Sequence, residues 1–148
     1  EVRAVIDATT VTPLAFALGA HNGALGPPLT IQLAPGTRKI RLAYTARNSE
    51  ALQWLTPEQT AGKRRPFLFS QGQAILNRSW IPTQDSPGIR QTWEARIRVP
   101  LGLNAVMSGI KSDEIIVSTG GTQVFQFRMD KPVAPYLIAI AIGDIRFQ

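Results

Sequence analysis

The residues best suited to meeting another molecule lie in one short run, Gln71-Gly72-Gln73-Ala74, two carboxamides set around a glycine. The run leads into a proline-punctuated turn and then into a long alternating segment. Taken alone, such a tetrapeptide makes a polar turn at a strand end. The other reactive side chains are scattered. His21, in His21-Asn22-Gly23, reads as an exposed turn residue, and with one histidine and no cysteine in the chain it has no nitrogen or sulfur partner for a metal site. Ser70 and Ser108 have no histidine base near them in sequence, which argues against a serine hydrolase. Asp85, between Pro82 and Pro87, reads as structural: its carboxylate is expected to accept backbone hydrogens of its own turn while Pro87 fixes the next dihedral. Asn77-Arg78-Ser79 has the form of a glycosylation sequon, which matters only in a secreted eukaryotic protein.

The elements that must carry these residues are strands. Short apolar or alternating runs at 2–7, 14–18, 29–33, 39–46, 66–70, 79–82, 90–99, 104–108, 114–118, 122–129 and 136–142 are nearly all bounded by Gly, Pro, Asn or Asp, which predicts an all-β chain. Gly120 and Gly121 sit between two alternating runs and tolerate the positive φ of a tight turn, so a hairpin is expected at 118–122. Residues 136–142 are apolar on both faces, with Ile138, Ile140 and Ile142 on one side and Leu137, Ala139 and Ala141 on the other. They read as a strand buried between layers. A helical turn or two is expected at 56–62, where Thr56 caps, Pro57 takes the first position and Glu58 the first turn. Trp54, Trp80 and Trp93 are read as core or interface aromatics, with Trp93 on the apolar face of its strand.

The run from Phe69 to Pro100, FSQGQAILNRSWIPTQDSPGIRQTWEARIRVP, resembles the non-catalytic N-terminal domain of the zinc aminopeptidases of the aminopeptidase N and leukotriene A4 hydrolase family, particularly its hydrolase branch. The likeness reaches back through Ala51-Leu-Gln-Trp-Leu-Thr-Pro-Glu-Gln-Thr60 and forward to Tyr136-Leu-Ile-Ala-Ile140, more than half of the chain. Catalysis in that family needs a helix with HExxH and a downstream glutamate, because two imidazoles and a carboxylate hold the zinc while the motif's glutamate activates its water. No HExxH occurs here, so the resemblance implies a single domain, 1–148, of a larger metallo-aminopeptidase. That piece is expected to begin inside the domain and to be inert by itself, with no catalytic or metal-binding residue of its own and zinc belonging to the full-length enzyme. The implied fold is a saddle-like, mainly antiparallel β domain with a second, smaller sheet packed on it in a β-sandwich-like manner.

By the same resemblance the site is substrate-binding. Gln73 stands where the family commonly has glutamate and its hydrolase branch glutamine, and it is expected to accept a hydrogen bond from the free amino group of a peptide. An ammonium offers three donors and no acceptor, so a carboxamide oxygen suits it while carboxylates elsewhere supply charge. The backbone of Ala74 is expected to line the first side-chain pocket, Gln71 to sit deeper, and the Gln73–Ala74 peptide bond to be cis. The Pro-x-x-Asp-x-Pro turn is matched at Pro82, Asp85 and Pro87, with Thr83 where cysteine is frequent and Arg90 where lysine is customary, and it is assigned no catalytic role. In the hydrolase branch the intact enzyme would also hydrolyse epoxides.

Composition bounds the rest. With 148 residues and 44% hydrophobic content, the chain can bury one core. The net charge of +6 invites a nucleic-acid partner, but Arg96 and Arg98 alternate with Ala95, Ile97 and Val99, and Lys39 and Arg41 with Ile40, Leu42 and Tyr44, as on the solvent faces of half-buried strands. Lys63-Arg64-Arg65 has no aromatic platform interleaved with it, so no nucleic acid is expected. No apolar run approaches the roughly 20 residues that cross a bilayer, so no membrane is expected and the chain is read as soluble, cytoplasmic or periplasmic. The implied partners are a peptide N-terminus and the enzyme's own catalytic domain. Missing first strands would leave open edges, so an edge-strand dimer would be a truncation artefact. The alternative from another class is a stand-alone β-sandwich binding or adhesion module, with intact edges and a pocket away from Gln73.

Overall fold

A computed structural model describes residues 1–118 and 120–146. Strands dominate it, and helical structure among those residues is confined to short 3-10 turns, as the turn-bounded alternation predicts. The chain forms two compact units, Glu1–Arg47 and Asn48–Gln148.

In the first unit, β1 (Val2–Asp7), β2 (Phe16–Leu18), β3 (Leu29–Ile31) and β4 (Ile40–Tyr44) make two antiparallel pairs, β1 with β4 and β2 with β3. Val5 and Leu14 are its buried apolar residues, joined by the Leu14 amide donating to the Val5 carbonyl at 2.9 Å. Arg41 is exposed between the half-buried Ile40 and Leu42, so the charge on β4 is a solvent face. At the end of β1, Asp7 is buried and its Oδ1 accepts from the amides of Thr9 at 2.7 Å and Thr10 at 3.0 Å. Amide hydrogens favour the ionised form. The Thr10 amide foremost, with the Thr9 amide, holds the Asp7 carboxyl below its ordinary value near 3.8.

The second unit adds β5 (Leu52–Leu55), β6 (Phe67–Ser70), β7 (Gln91–Pro100), β8 (Asn104–Met107), β9 (Ile110–Lys111), β10 (Ile116–Ser118), β11 (Thr122–Val133) and β12 (Ile140–Gly143). One sheet runs β10-β11-β7 with β9 also on β11, and the other runs β5-β6-β12-β8, all pairs antiparallel. Both feed one apolar core. Val99 from β7 and Phe125 and Phe127 from β11 meet Ala105 and Met107 from β8, Ile140 from β12, and Leu103 and Ile138 from the connections. β7 shows the reason: Trp93, Ala95, Ile97 and Val99 turn inward while Glu94, Arg96 and Arg98 stay exposed. The expected hairpin pairs Ser118 with Thr122, and Gly121 has φ +71°; Thr119 lies outside the described residues.

Several expected elements differ. Residues 79–82 are not a strand: a 3-10 turn, Asn77–Ser79, takes their start, and the amides of Trp80 and Ile81 curl back to the Asn77 carbonyl at 3.1 and 2.8 Å. Residues 136–142 divide into a 3-10 turn, Pro135–Leu137, and β12, because Pro135 begins a turn that the Ile138 amide closes on its carbonyl at 2.9 Å, and proline pre-sets the turn dihedral. Leu137 is left exposed. The helical turn at 56–62 contracts to Pro57–Gln59, with the Thr56 amide donating to Gln59 Oε1 at 2.9 Å. β5, which the alternation did not mark as a strand, forms by pairing Leu52 to Leu55 with Ser70 to Phe67 of β6. Its Trp54 is 62% exposed, so of the three tryptophans only Trp80 and Trp93 pack against the core.

The polar centre of this unit is Asn77, with 0% exposure. Its Nδ2 donates to the carbonyls of Pro135 at 2.5 Å and Ile138 at 2.8 Å, and its Oδ1 accepts from Trp80 Nε1 at 2.9 Å. The sequon at Asn77 is therefore closed to glycosylation in the folded chain. Asn77→Ala leaves the indole N–H and the Ile138 carbonyl without partners, at a cost of about 2–4 kcal/mol. Urea denaturation followed by tryptophan fluorescence reads this, since all three tryptophans belong to the second unit. In the first unit, the lowered Asp7 pKa means that its contribution is complete above the unfolded value near 3.8 and disappears as pH falls through the lower folded value. Hydrogen exchange at the Thr9 and Thr10 amides should accelerate in that acid window, and Asp7→Asn should remove the dependence.

Candidate functional site

β6 ends at Ser70, and the chain then projects a short tip before re-entering the core at Asn77. Gln71, Gln73 and Ala74 are exposed on this tip, and Gly72 between them is buried. The Gln73–Ala74 peptide bond is cis, as the resemblance implies.

The base of the tip is tied down at both ends. On the entering side, the Gln71 amide donates to the carbonyl of fully buried Ala51 at 2.7 Å, and Ser70 Oγ accepts from the Ile140 amide at 2.9 Å. On the leaving side, the Leu76 amide donates to the Gly72 carbonyl at 2.9 Å, closing the turn. Ser79 Oγ gathers three neighbours, donating to the Leu76 carbonyl at 2.6 Å, accepting from the Ala51 amide at 3.2 Å and meeting Ser49 Oγ at 2.7 Å. The Ala51 amide before β5 and the Leu76 carbonyl after the tip thus converge on one hydroxyl, which satisfies a donor and an acceptor of the main chain outside the strands.

Gly72 is a glycine for want of space. A Cβ there would stand 2.5 Å from Asn77 Oδ1, 2.7 Å from its Cγ and 2.8 Å from its Nδ2. Asn77 was read from sequence only as part of a sequon, and no periodicity marks a polar residue as a core member. Asp85 also differs from expectation. With 3% exposure, its Oδ2 accepts from the Arg78 amide at 2.9 Å, and the Arg78 guanidinium donates to the Asp85 carbonyl and lies 3.9 Å by Nε from Oδ2. The carboxylate secures the segment after the tip to the proline turn through the Arg78 amide at Oδ2, while its buried Oδ1 takes no hydrogen bond from the amides of its own turn.

Chemically, the tip offers neutral acceptors and donors with no charge. Among the described residues no three His, Cys, Asp or Glu side chains come together as a metal-binding group, and the chain holds one histidine and no cysteine. Its donor set does not fit a zinc ion. A cleft of about 320 Å³ lies elsewhere, lined by Leu55, Arg64, Phe67 and Asp144 among others. The β5–β6 register sets Leu55 against Phe67 and Leu52 against Ser70, so cleft and tip occupy opposite ends of that pair. A separate cleft is also what a stand-alone binding module calls for, but the relationships of the chain lend that module no support. No helix among the described residues is long and apolar enough to cross a membrane.

Residues 20–137 match the family model described as the Peptidase M1 N-terminal domain. The chain is 42% identical over 107 residues to aminopeptidase B of Rattus norvegicus, covering 72% of this chain and 16% of that protein. It is 40% identical over 137 residues to leukotriene A-4 hydrolase of Xenopus laevis, covering 88% and 22% respectively. The solved structure of native yeast LTA4 hydrolase superposes with a TM-score of 0.81 at 30% identity, over 99% of this chain and 22% of that one. The chain spans 16 to 22% of the length of the curated relatives it matches. The match covers most of the chain, includes the whole tip and its Asn77 support, and agrees with the antiparallel β architecture: the chain belongs to the Peptidase M1 N-terminal domain family.

Proposed function

We propose that residues 1–148 form one β domain on the substrate side of a zinc-dependent aminopeptidase, and that its Gln71–Ala74 tip completes a cleft built by a separate catalytic domain. Gln73 Oε1 accepts a hydrogen bond from the α-ammonium of a peptide, the backbone of Ala74 lines the pocket for the first side chain, and Gln71 lies deeper. The observation that carries this reading is an exposed tip whose base is tied to the fold by hydrogen bonds on both sides in a chain of this family. A group that must meet a substrate has to be free of its own domain yet fixed relative to it.

The side chain of Gln73 carries no charge, so the charge opposing the ammonium comes from carboxylates of the catalytic domain, which also brings the zinc ligands and the base that activates water. This chain supplies orientation. Epoxide hydrolysis, as a second activity of the intact enzyme, belongs to the same proposal, because a leukotriene A-4 hydrolase is among its relatives.

Two measurements bear on this. The purified chain should leave an aminoacyl-anilide unhydrolysed with or without added zinc, and turnover that survives stringent removal of contaminants would contradict the domain assignment. In the longer enzyme, Gln73→Ala should raise KM for peptides with a free amine by roughly ten- to a hundredfold, the worth of one hydrogen bond to a charged group. Unchanged KM would remove Gln73 from amine recognition.

A further inference from the structure

We infer that Asn77 is a positioning residue for the Gln73 tip, acting through the main chain of Gly72. The inference rests on Gln73 holding the substrate amine, as proposed above. Of the residues 71–74, only Gly72 is buried, and what it meets is the Asn77 carboxamide, whose three terminal atoms all lie within 2.8 Å of where a Cβ would stand.

That carboxamide has one usable orientation. Its Nδ2 spends both hydrogens on the carbonyls of Pro135 and Ile138, and its Oδ1 faces the Trp80 indole N–H. A carbonyl only accepts and an indole only donates, so a flipped amide would set oxygen against two oxygens and nitrogen against N–H. The floor beneath Gly72 is therefore fixed in place and in orientation by contacts 58 and 61 residues away in sequence. The Leu76 amide holds the Gly72 carbonyl from the other side at 2.9 Å. Gln73 is the next residue along, so the height at which its side chain leaves the domain is set by where Gly72 rests.

The role is separable from stability. Gly143 offers a control: a Cβ there would stand 2.5 Å from Phe67 Cδ2, at the end of β6 remote from the tip. Trp80→Phe is the milder variant, since it deletes the donor to Asn77 Oδ1 and the second ring of the indole but keeps an aromatic ring against the core. Gly72→Ala is the strong one, and should it fail to fold, Trp80→Phe still decides. Two readouts are made: ¹⁵N relaxation of the Gln73 and Ala74 amides in this chain, and KM and kcat for an aminoacyl-anilide in the longer enzyme. Trp80→Phe and Gly72→Ala should loosen those amides and raise KM by about threefold and about tenfold, with kcat changed by less than about twofold, as expected for small displacements of a substrate-positioning group. Gly143→Ala should lower the melting temperature without moving either readout. Tip amides and KM unchanged in both Trp80→Phe and Gly72→Ala, with only melting temperature reduced, would overturn the positioning role and leave Asn77 a core residue. Unchanged KM in Gln73→Ala, with loosened amides in Gly72→Ala, would overturn the amine role alone.

Discussion

The second unit depends on the burial of one carboxamide. Taking an amide out of water costs several kcal/mol unless its hydrogen bonds are replaced, and Asn77 replaces them with partners from two segments distant in sequence: the indole of Trp80, just after the tip, and the carbonyls of Pro135 and Ile138 before β12. Because each partner can act in only one sense, the network permits a single arrangement of these segments. A hydrophobic residue of similar size would fill the volume and leave that arrangement unspecified. The consequences spread outward. Residue 72 must be glycine, the chain after Asn77 curls where alternation calls for a strand, and Ile138 is delivered to the core cluster beside Ile140.

Around this centre, two sheets use a simpler rule. Along β7 every second residue is turned inward, and the inward set meets Phe125 and Phe127 of β11, opposite β7 in register. The outward set carries Arg96 and Arg98, which accounts for positive charge without a ligand for it. Where the rule is suspended, glycine marks the place. Gly109, between β8 and β9, would put a Cβ 2.6 Å from the Arg128 carbonyl, and Gly143 one 2.5 Å from the Phe67 ring, so backbone in one case and an aromatic ring in the other fills the space of a side chain.

How much of this could be seen in the sequence follows from the same division. β1, β7, β8 and the β10–β11 hairpin were legible because burial on one face writes a period of two, and turns write glycine. The tip was legible because the resemblance covers it, and the Gln73–Ala74 peptide bond is cis as that resemblance implies. Asn77 was not legible, since a buried polar residue follows no period and its partners lie some sixty residues away. The stretch 136–142 was misread for a related reason: Ile138 and Ile140 are buried as a strand's would be, but Pro135 governs the backbone before them and leaves Leu137 exposed. Asp85 was read locally, and a carboxylate takes whichever donor the fold brings, here the Arg78 main chain.

The choice of a neutral tip fits a domain that must reach its own folded state before it meets anything else. An exposed carboxamide keeps its hydration in the isolated chain and asks for no counter-charge, whereas the polar groups beneath it are already matched to one another through Ser79, Ala51, Ser70 and Ile140. The main chain at the base of the tip is therefore held by the fold, and in the proposed role such preorganisation would reduce the entropy lost on binding. In the proposed role, a charge at residue 73 would have to be desolvated on binding, a cost that pairing with the ammonium must offset. Rigidity from below and neutrality at the top are thus compatible with the proposed role, in which the domain would fix where an acceptor stands and leave the stronger electrostatics to carboxylates of a catalytic domain.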